Sequence, residues 1–327
     1  MAKSNPIQIG IDLGTTNSAV VVNHNDKYEI VKNSDQMDYT PSVFGYNKGK
    51  NLQVGKKAYE NLFQFATDDE VKNYKAEVKR LMGTKETIYF ERVNQEMSAE
   101  EVSAEILKYL KEAVLRKYPD INTDGVVITV PAYFSTTQKE STKEAGELAG
   151  FKHVVLIQEP IAGAIAYGFD NKLNENWLVY DLGGGTFDVA VISSKDGVLT
   201  VKGHDGDNYL GGKDFDNLIV NKIIVPSLQK KCTFDEVSPD SNKTLHNKLK
   251  YYAETAKKEL TDSEETTIVI DNIKDDDREE VYLELTFTRE EFENLIAKEI
   301  NKSIKLCEKA ISESGLTNKD IHKIILI

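Results

Sequence analysis

The sequence is poor in cysteine, proline and tryptophan, and it contains no long apolar run. Only two cysteines occur in 327 residues, Cys232 and Cys307. They share no CxxC spacing, so neither a zinc site nor a disulfide framework is expected, and both read as ordinary thiols. No apolar stretch approaches the ~20 residues that span a bilayer. The first one, 7–22, is broken by Gly10, Asp12 and the polar cluster 14–18, which excludes a secretory leader there. The expectation is a soluble, cytoplasmic chain. Positive charge is in deficit: 41 Lys and Arg against 54 Asp and Glu leave a net charge of −13. Such a chain has no general electrostatic hold on a nucleic-acid backbone or an anionic membrane, and neither is expected as a partner. A polyanion such as a nucleotide would need local backbone donors and a few well-placed cations. Hydrophobic residues at 40% suffice for real cores. The length suits two lobes of roughly 150 residues each.

Patterning gives a mixed α/β chain. A strand over 7–13 runs into the turn Gly14-Thr15-Thr16-Asn17 and a second strand over 18–22. Helical patterns are predicted near 59–65 and over 69–81. Over 99–116, Val102, Ile106, Leu110 and Ala113 recur at helical spacing behind Ser98, a predicted N-cap. The apolar run 125–130 ends at Pro131 and reads as a buried strand. A helix is predicted over 136–148 with Gly150 as its stop, then a strand over 154–157 and a small-residue helix over 161–167. Strand, glycine turn and strand return over 177–192. The chain then reads as mostly helical over 214–260, with a strand pair at 266–270 and 281–287. A helix over 289–314 and a final apolar strand over 323–327 close it. The run Asp275-Asp276-Asp277 reads as a solvated turn, since a calcium site needs more oxygens at set offsets.

One repeat outranks these features. Ile11-Asp12-Leu13-Gly14-Thr15-Thr16 resembles Tyr180-Asp181-Leu182-Gly183-Gly184-Gly185-Thr186, about half a chain length away. Each copy follows an apolar strand and precedes another. Two similar lobes, each presenting one hairpin, explain this most simply. Glycine in the turn lets backbone N–H groups approach a phosphate, and threonine hydroxyls add donors. A carboxylate at the strand end suits Mg²⁺ held through its waters, because that ion dehydrates reluctantly.

Longer strings resemble one family. The segment 10–18 and the segment Val179-Tyr180-Asp181-Leu182-Gly183-Gly184-Gly185-Thr186-Phe187-Asp188-Val189 are similar to the two phosphate motifs of the DnaK-type heat-shock chaperones. Val130-Pro131-Ala132-Tyr133-Phe134 resembles their proline-switch segment, and Glu159–Gly168 their connecting helix between lobes. Leu210-Gly211-Gly212-Lys213-Asp214-Phe215-Asp216 resembles the start of the second lobe's upper subdomain. The resemblance spans essentially the whole chain. It implies an α/β, two-lobed, actin-like ATPase fold, built of duplicated ribonuclease H-like lobes around a central nucleotide cleft. Lobe I is then 1–170 with an upper subdomain near 40–98, and lobe II is 171–327 with an upper subdomain near 213–293.

The resemblance also implies roles. Lys79, Glu159, Asp181 and Thr186 are the implied catalytic residues. Asp12, Asp181 and Asp188 would hold hydrated Mg²⁺, with K⁺ as a further cation near Asp188. Gly14, Thr15, Thr16, Asn17, Gly183, Gly184, Gly185, Gly211 and Gly212 would line the phosphates of ATP or ADP. Adenine and ribose contacts fall to Glu254, Lys257, Lys258 and Thr261, spaced to share one helix face. The implied activity is slow ATP hydrolysis by a monomer, driving binding and release of unfolded polypeptide by a separate substrate domain. A J-domain co-chaperone and a nucleotide exchange factor are the implied partners.

The sequence departs from the family's pattern at four positions. Lys139 stands for an arginine that works with Pro131, and Lys258 for an arginine that stacks on adenine; both keep charge but lose the planar fork. Val155 stands where an arginine commonly meets the J-domain, and Lys213 where a glutamate follows the glycine pair. In the family, a strand like 323–327 leads into a glycine-rich turn that completes the adenosine site, so a trimmed chain is the expectation here. Three other readings stay open: a sugar or acid kinase, an actin-like polymer, and a non-hydrolysing relative acting as an exchange factor.

Overall fold

The computed structural model describes residues 7–168, 174–195, 198–233 and 241–327. Two sheets organise it. In the first, Ile9–Leu13 pairs antiparallel with Asn17–His24, which pairs antiparallel with Lys27–Ile30. On its other side Ile9–Leu13 pairs parallel with Gly125–Val130, which pairs parallel with His153–Gln158. The second sheet repeats the scheme. Asn176–Leu182 pairs antiparallel with Phe187–Lys195, which pairs antiparallel with Val198–Asp207. Asn176–Leu182 also pairs parallel with Lys323–Leu326. The duplication seen in two short strings is therefore a duplication of topology.

Each sheet is buried where its sequence is apolar. Ile9, Ile11, Val20, Val22, Val126 and Ile128 are almost wholly buried under the helices Ala99–Lys117 and Thr136–Leu148. Both helices start at a serine whose side chain accepts a backbone N–H while the third helical residue bonds back: Ser98 with Glu101, and Ser135 with Gln138. In the second lobe the helix Arg289–Glu313 covers Phe187–Lys195 and Val198–Asp207. It crosses closely at Gly203, where a Cβ would lie 2.3 Å from the Ala310 carbonyl oxygen. The strand Val198–Asp207 was not expected from the sequence.

Above each sheet sits a smaller unit. In lobe I, Phe44–Tyr46, Leu52–Val54 and Tyr74–Lys75 form a three-stranded sheet beside the continuous helical stretch 56–64. In lobe II, the helical stretch 212–229 and the helix Lys243–Glu259 pack on the hairpin Glu265–Lys274 and Glu280–Thr288. The helical reading over 214–260 holds at both ends, and its middle, 234–240, lies outside the described residues. So does the boundary at 170 and 171.

One expectation needs correction. The helix over 69–81 is instead a short turn at Glu70–Lys72, the two-residue strand Tyr74–Lys75 and a second turn at Val78–Leu81. The cause is divided loyalty: Val71 and Tyr74 bury in the small upper core, whereas Val78 and Met82 bury in the main core of lobe I. Glu77 makes the break with a φ of 60°. The helix Glu159–Ala166 packs on strands of both sheets, and a Cβ at Gly163 would lie 2.1 Å from the Ile327 side chain. That helix therefore runs between the lobes. No helix among the described residues is long and apolar enough to cross a membrane. Cys232 and Cys307 are both free thiols.

Candidate functional site

The two glycine turns meet face to face. A Cβ at Gly184 would lie 1.9 Å from Thr16 Oγ1, and one at Gly185 would lie 2.5 Å from Thr15 Cγ2. Only glycine allows this approach. The Oγ1 atoms of Thr15 and Thr16 are buried with no hydrogen-bond partner. Buried hydroxyls are ordinarily paired, so two orphans at one point mark a place built for a further acceptor. A second glycine pair braces the turn from behind. Gly212 N–H donates to the Gly183 carbonyl at 3.0 Å and Lys213 N–H to the Gly184 carbonyl at 2.7 Å. A Cβ at Gly211 would lie 2.6 Å from Gly185 N.

Beside the turns stand four carboxylates and one lysine. Asp181 lies directly across the ladder from Asp188, whereas the equivalent pair in lobe I is Asp12 and Ala19. Like charges directly opposite are destabilising. Burial and then Asp188 and Asp12 push the Asp181 carboxyl up to about 7. Burial also raises Asp188, against the pull of the Tyr133 N–H, which donates to its Oδ1 at 3.2 Å. Lys79 Nζ reaches Glu159 Oε1 at 2.7 Å and lies 5.7 Å from the centre of the Phe134 ring. Burial works against the Lys79 charge, but Glu159 and Asp12 more than offset it and hold it protonated. Glu159 is raised by burial, with Asp12, Asp188 and Asp181 adding to it against Lys79. Asp12 is exposed and accepts the Thr129 hydroxyl at 2.8 Å. The donor set is thus an acidic cluster short of positive charge, which fits a cation such as hydrated Mg²⁺. Among the described residues no three His, Cys, Asp or Glu side chains converge as a direct ligand cluster.

A cavity of about 260 Å³ opens from the first turn. Thr15, Thr16, Asn17, Tyr59, Lys213, Glu254 and Lys258 all line it. Its floor is a network centred on Glu254. Tyr59 of lobe I donates its hydroxyl to Glu254 Oε2 at 2.6 Å, Lys213 Nζ lies 3.0 Å from the same oxygen, and Lys258 Nζ lies 2.9 Å from Oε1. Burial opposes the Glu254 charge, but Lys213, Tyr59 and Lys258 hold its carboxyl far below the usual range. Lys257 turns instead to Asp216 Oδ1 at 2.5 Å and to the Gly212 carbonyl at 2.8 Å.

Most residues singled out from the sequence therefore come together at one cleft between the lobes. Thr261 does not: it is exposed and absent from the cavity wall. Three participants escaped the sequence reading. Tyr59 gave no signal beyond a helical pattern. Arg80 was overshadowed by Lys79, although its Nη2 lies 2.6 Å from the Gly185 carbonyl oxygen and 2.9 Å from Asp214 Oδ2. Lys213 was noted only as a departure, yet it is 4% exposed and stacked within 5.7 Å of Tyr59 and 5.3 Å of Phe63. Of the other departures, Lys139 is half-buried and Val155 is 47% exposed. A family model described as Hsp70 protein matches residues 8–327, nearly the whole chain.

Proposed function

The chain thus belongs to the Hsp70 family, and from that premise we propose that it binds Mg-ATP between its two glycine turns and hydrolyses it slowly. The family is one of heat-shock chaperones with an ATPase domain. The observation that carries the reading to these residues is the opposition of the turns, with the buried, unpartnered hydroxyls of Thr15 and Thr16 between them. In this reading Gly14 to Asn17 and Gly183 to Thr186 supply N–H and hydroxyl donors to the phosphates, braced by Gly211 and Gly212.

Asp12, Asp181 and Asp188 would hold the Mg²⁺ through its waters, and K⁺ would sit near Asp188. When bound, the metal neutralises charge on the phosphate oxygens. Lys79 places a buried positive charge beside the transferring phosphoryl group, where charge develops. Glu159, held by Lys79, orients the attacking water and senses the γ-phosphate. Phosphoryl transfer asks for positioning and charge stabilisation more than for a strong base. Glu254, Lys257 and Lys258 would meet the adenosine, with Lys258 unable to offer arginine's planar stack. Lobe I is proposed as 1–170 and lobe II as 171–327, with upper subdomains 40–98 and 213–293. The Tyr133 N–H on Asp188 ties the segment after Pro131 to the metal-side carboxylates, a route by which the nucleotide state reaches the surface.

In the whole protein this cycle would drive binding and release of unfolded polypeptide by a separate domain. A J-domain protein and an exchange factor would be its partners, with Val155 altering the former contact. The chain would work as a cytoplasmic monomer. Calorimetric titration with Mg-ADP tests the site. Binding by the wild type that weakens at least tenfold in Asp181→Asn supports it; binding that is unchanged by the substitution places the nucleotide elsewhere.

A further inference from the structure

Arg80 follows Lys79 on the turn Val78–Leu81 but reaches into the opposite lobe. Its guanidinium is gripped on all sides. Nε and Nη2 both donate to the Gly185 carbonyl oxygen, at 3.2 and 2.6 Å. Nη2 pairs with Asp214 Oδ2 at 2.9 Å, and Nη1 with Glu77 Oε2 at 2.8 Å. The Tyr209 ring lies 5.5 Å from its central carbon. Glu77 is itself fixed by Lys250 at 3.3 Å, from the second lobe. The side chain is 13% exposed, so these contacts are only weakly screened.

The geometry has a consequence for the second turn. In a trans peptide the carbonyl and the following N–H point in opposite directions within one plane. A two-point grip on the Gly185 carbonyl therefore fixes the direction of the Thr186 N–H on the other side of that plane. Gly185 has no side chain to hold the plane by itself. The same grip holds the turn from which Lys79 reaches Glu159, because Lys79 and Arg80 are consecutive.

We propose that Arg80 is a positioning residue for phosphoryl transfer, locking the Gly185–Thr186 peptide plane of one lobe to the Lys79 turn of the other. It touches no reacting atom. The inference rests on the nucleotide site proposed above. Its effect belongs to the chemical step, since it aligns Lys79 and Thr186 relative to each other and leaves the adenosine contacts alone. Misplacement of about 1 Å in such an array costs up to roughly 100-fold in rate.

The test compares single-turnover ATP hydrolysis with Mg-ADP affinity in the wild type, Arg80→Gln and Arg80→Lys. Arg80→Gln is expected to slow hydrolysis by roughly 10- to 100-fold while Mg-ADP affinity stays within about threefold. Arg80→Lys keeps the charge and loses the fork, so its rate is expected to lie nearer Arg80→Gln than the wild type. That variant also serves if Arg80→Gln fails to fold. Full rescue by lysine would show that charge alone matters and overturn the proposal. Equal losses of hydrolysis and Mg-ADP binding would reduce Arg80 to a structural tie and overturn it too. A wild type that hydrolyses no faster than an equally competent Arg80→Gln sinks this inference alone. A wild type that binds no nucleotide sinks the nucleotide reading and this inference with it.

Discussion

Lys79 Nζ stands 2.7 Å from Glu159 Oε1, and this pair joins the Val78–Leu81 turn to the helix that runs between the two sheets. The contact is buried, and Glu159 also faces Asp12, Asp181 and Asp188. One cation thus serves four carboxylates.

Replacing that cation separates binding from chemistry. Lys79→Ala is expected to cut single-turnover ATP hydrolysis by about 100-fold or more while Mg-ADP still binds. Rapid-quench hydrolysis beside calorimetry reads both quantities. Hydrolysis at the wild-type rate would remove Lys79 from the reacting centre.

The same cluster sets a pH dependence. A carboxyl whose pKa is raised on folding favours the folded state below its unfolded value and loses that contribution as pH rises through the folded one. For Asp181 the window runs from about 4 to about 7, and Glu159 and Asp188 are raised in the same direction. In chelator, the thermal midpoint should therefore fall between pH 5 and 7, and Asp181→Asn should flatten part of that slope. Excess Mg-ADP should flatten it further by placing Mg²⁺ beside these carboxylates. A slope identical in wild type and variant would mean that Asp181 is already ionised in the folded chain at pH 6.

Lys213 tests the interlobe network. It lies 3.0 Å from Glu254, which Tyr59 bonds from the other lobe. Lys213→Met leaves a buried carboxylate with fewer partners and should cost about 2–3 kcal/mol, read by denaturant unfolding. Tyr59→Phe removes only its own bond to Glu254, one of several across the cleft. It should speed Mg-ADP association and release while changing stability by less than about 1.5 kcal/mol. Unchanged kinetics in Tyr59→Phe would mean that this bond does not gate the cavity.

His246 should contribute to the acid side. It is 3% exposed with an unpartnered Nδ1, and burial, with Lys250 nearby, depresses it to about 4. A histidine lowered on folding stays neutral when folded and charges more readily when unfolded. Its contribution is full above pH 6.5 and is lost as pH falls toward 4, with a slope of up to about 1.4 kcal/mol per unit. His246→Leu should flatten the acid limb of the stability curve over that window. An unaltered limb would assign acid unfolding to other groups.

Much of the site was legible because its chemistry constrains short strings. A turn that brings backbone to within reach of another turn must be glycine there, so Gly184 and Gly185 announced themselves, as did Gly14, which closes tightly on the Asn17 carbonyl of its own turn. Two copies of that turn implied two lobes, and the four strands of the second sheet repeat the order and direction of four strands of the first. Helix starts were legible for a local reason: Ser98 meets the backbone N–H three residues on. The strand Val198–Asp207 was not, because its apolar residues are few and Gly203 serves a helix more than 100 residues away. The 69–81 stretch misled because its apolar residues have helical spacing but serve two separate cores.

Sequence alone determined the duplicated glycine turns, the acidic strand ends and the family to which they point. These depend on backbone freedom and residue type, which are local properties. Only the tertiary structure decided which charges meet. Glu254 with Lys213 and Tyr59, Arg80 with Gly185, and Lys79 with Glu159 are contacts between distant segments, set by how the lobes close on one another. A charge becomes informative when burial removes the water that would otherwise screen it, and burial is a property of the packed whole.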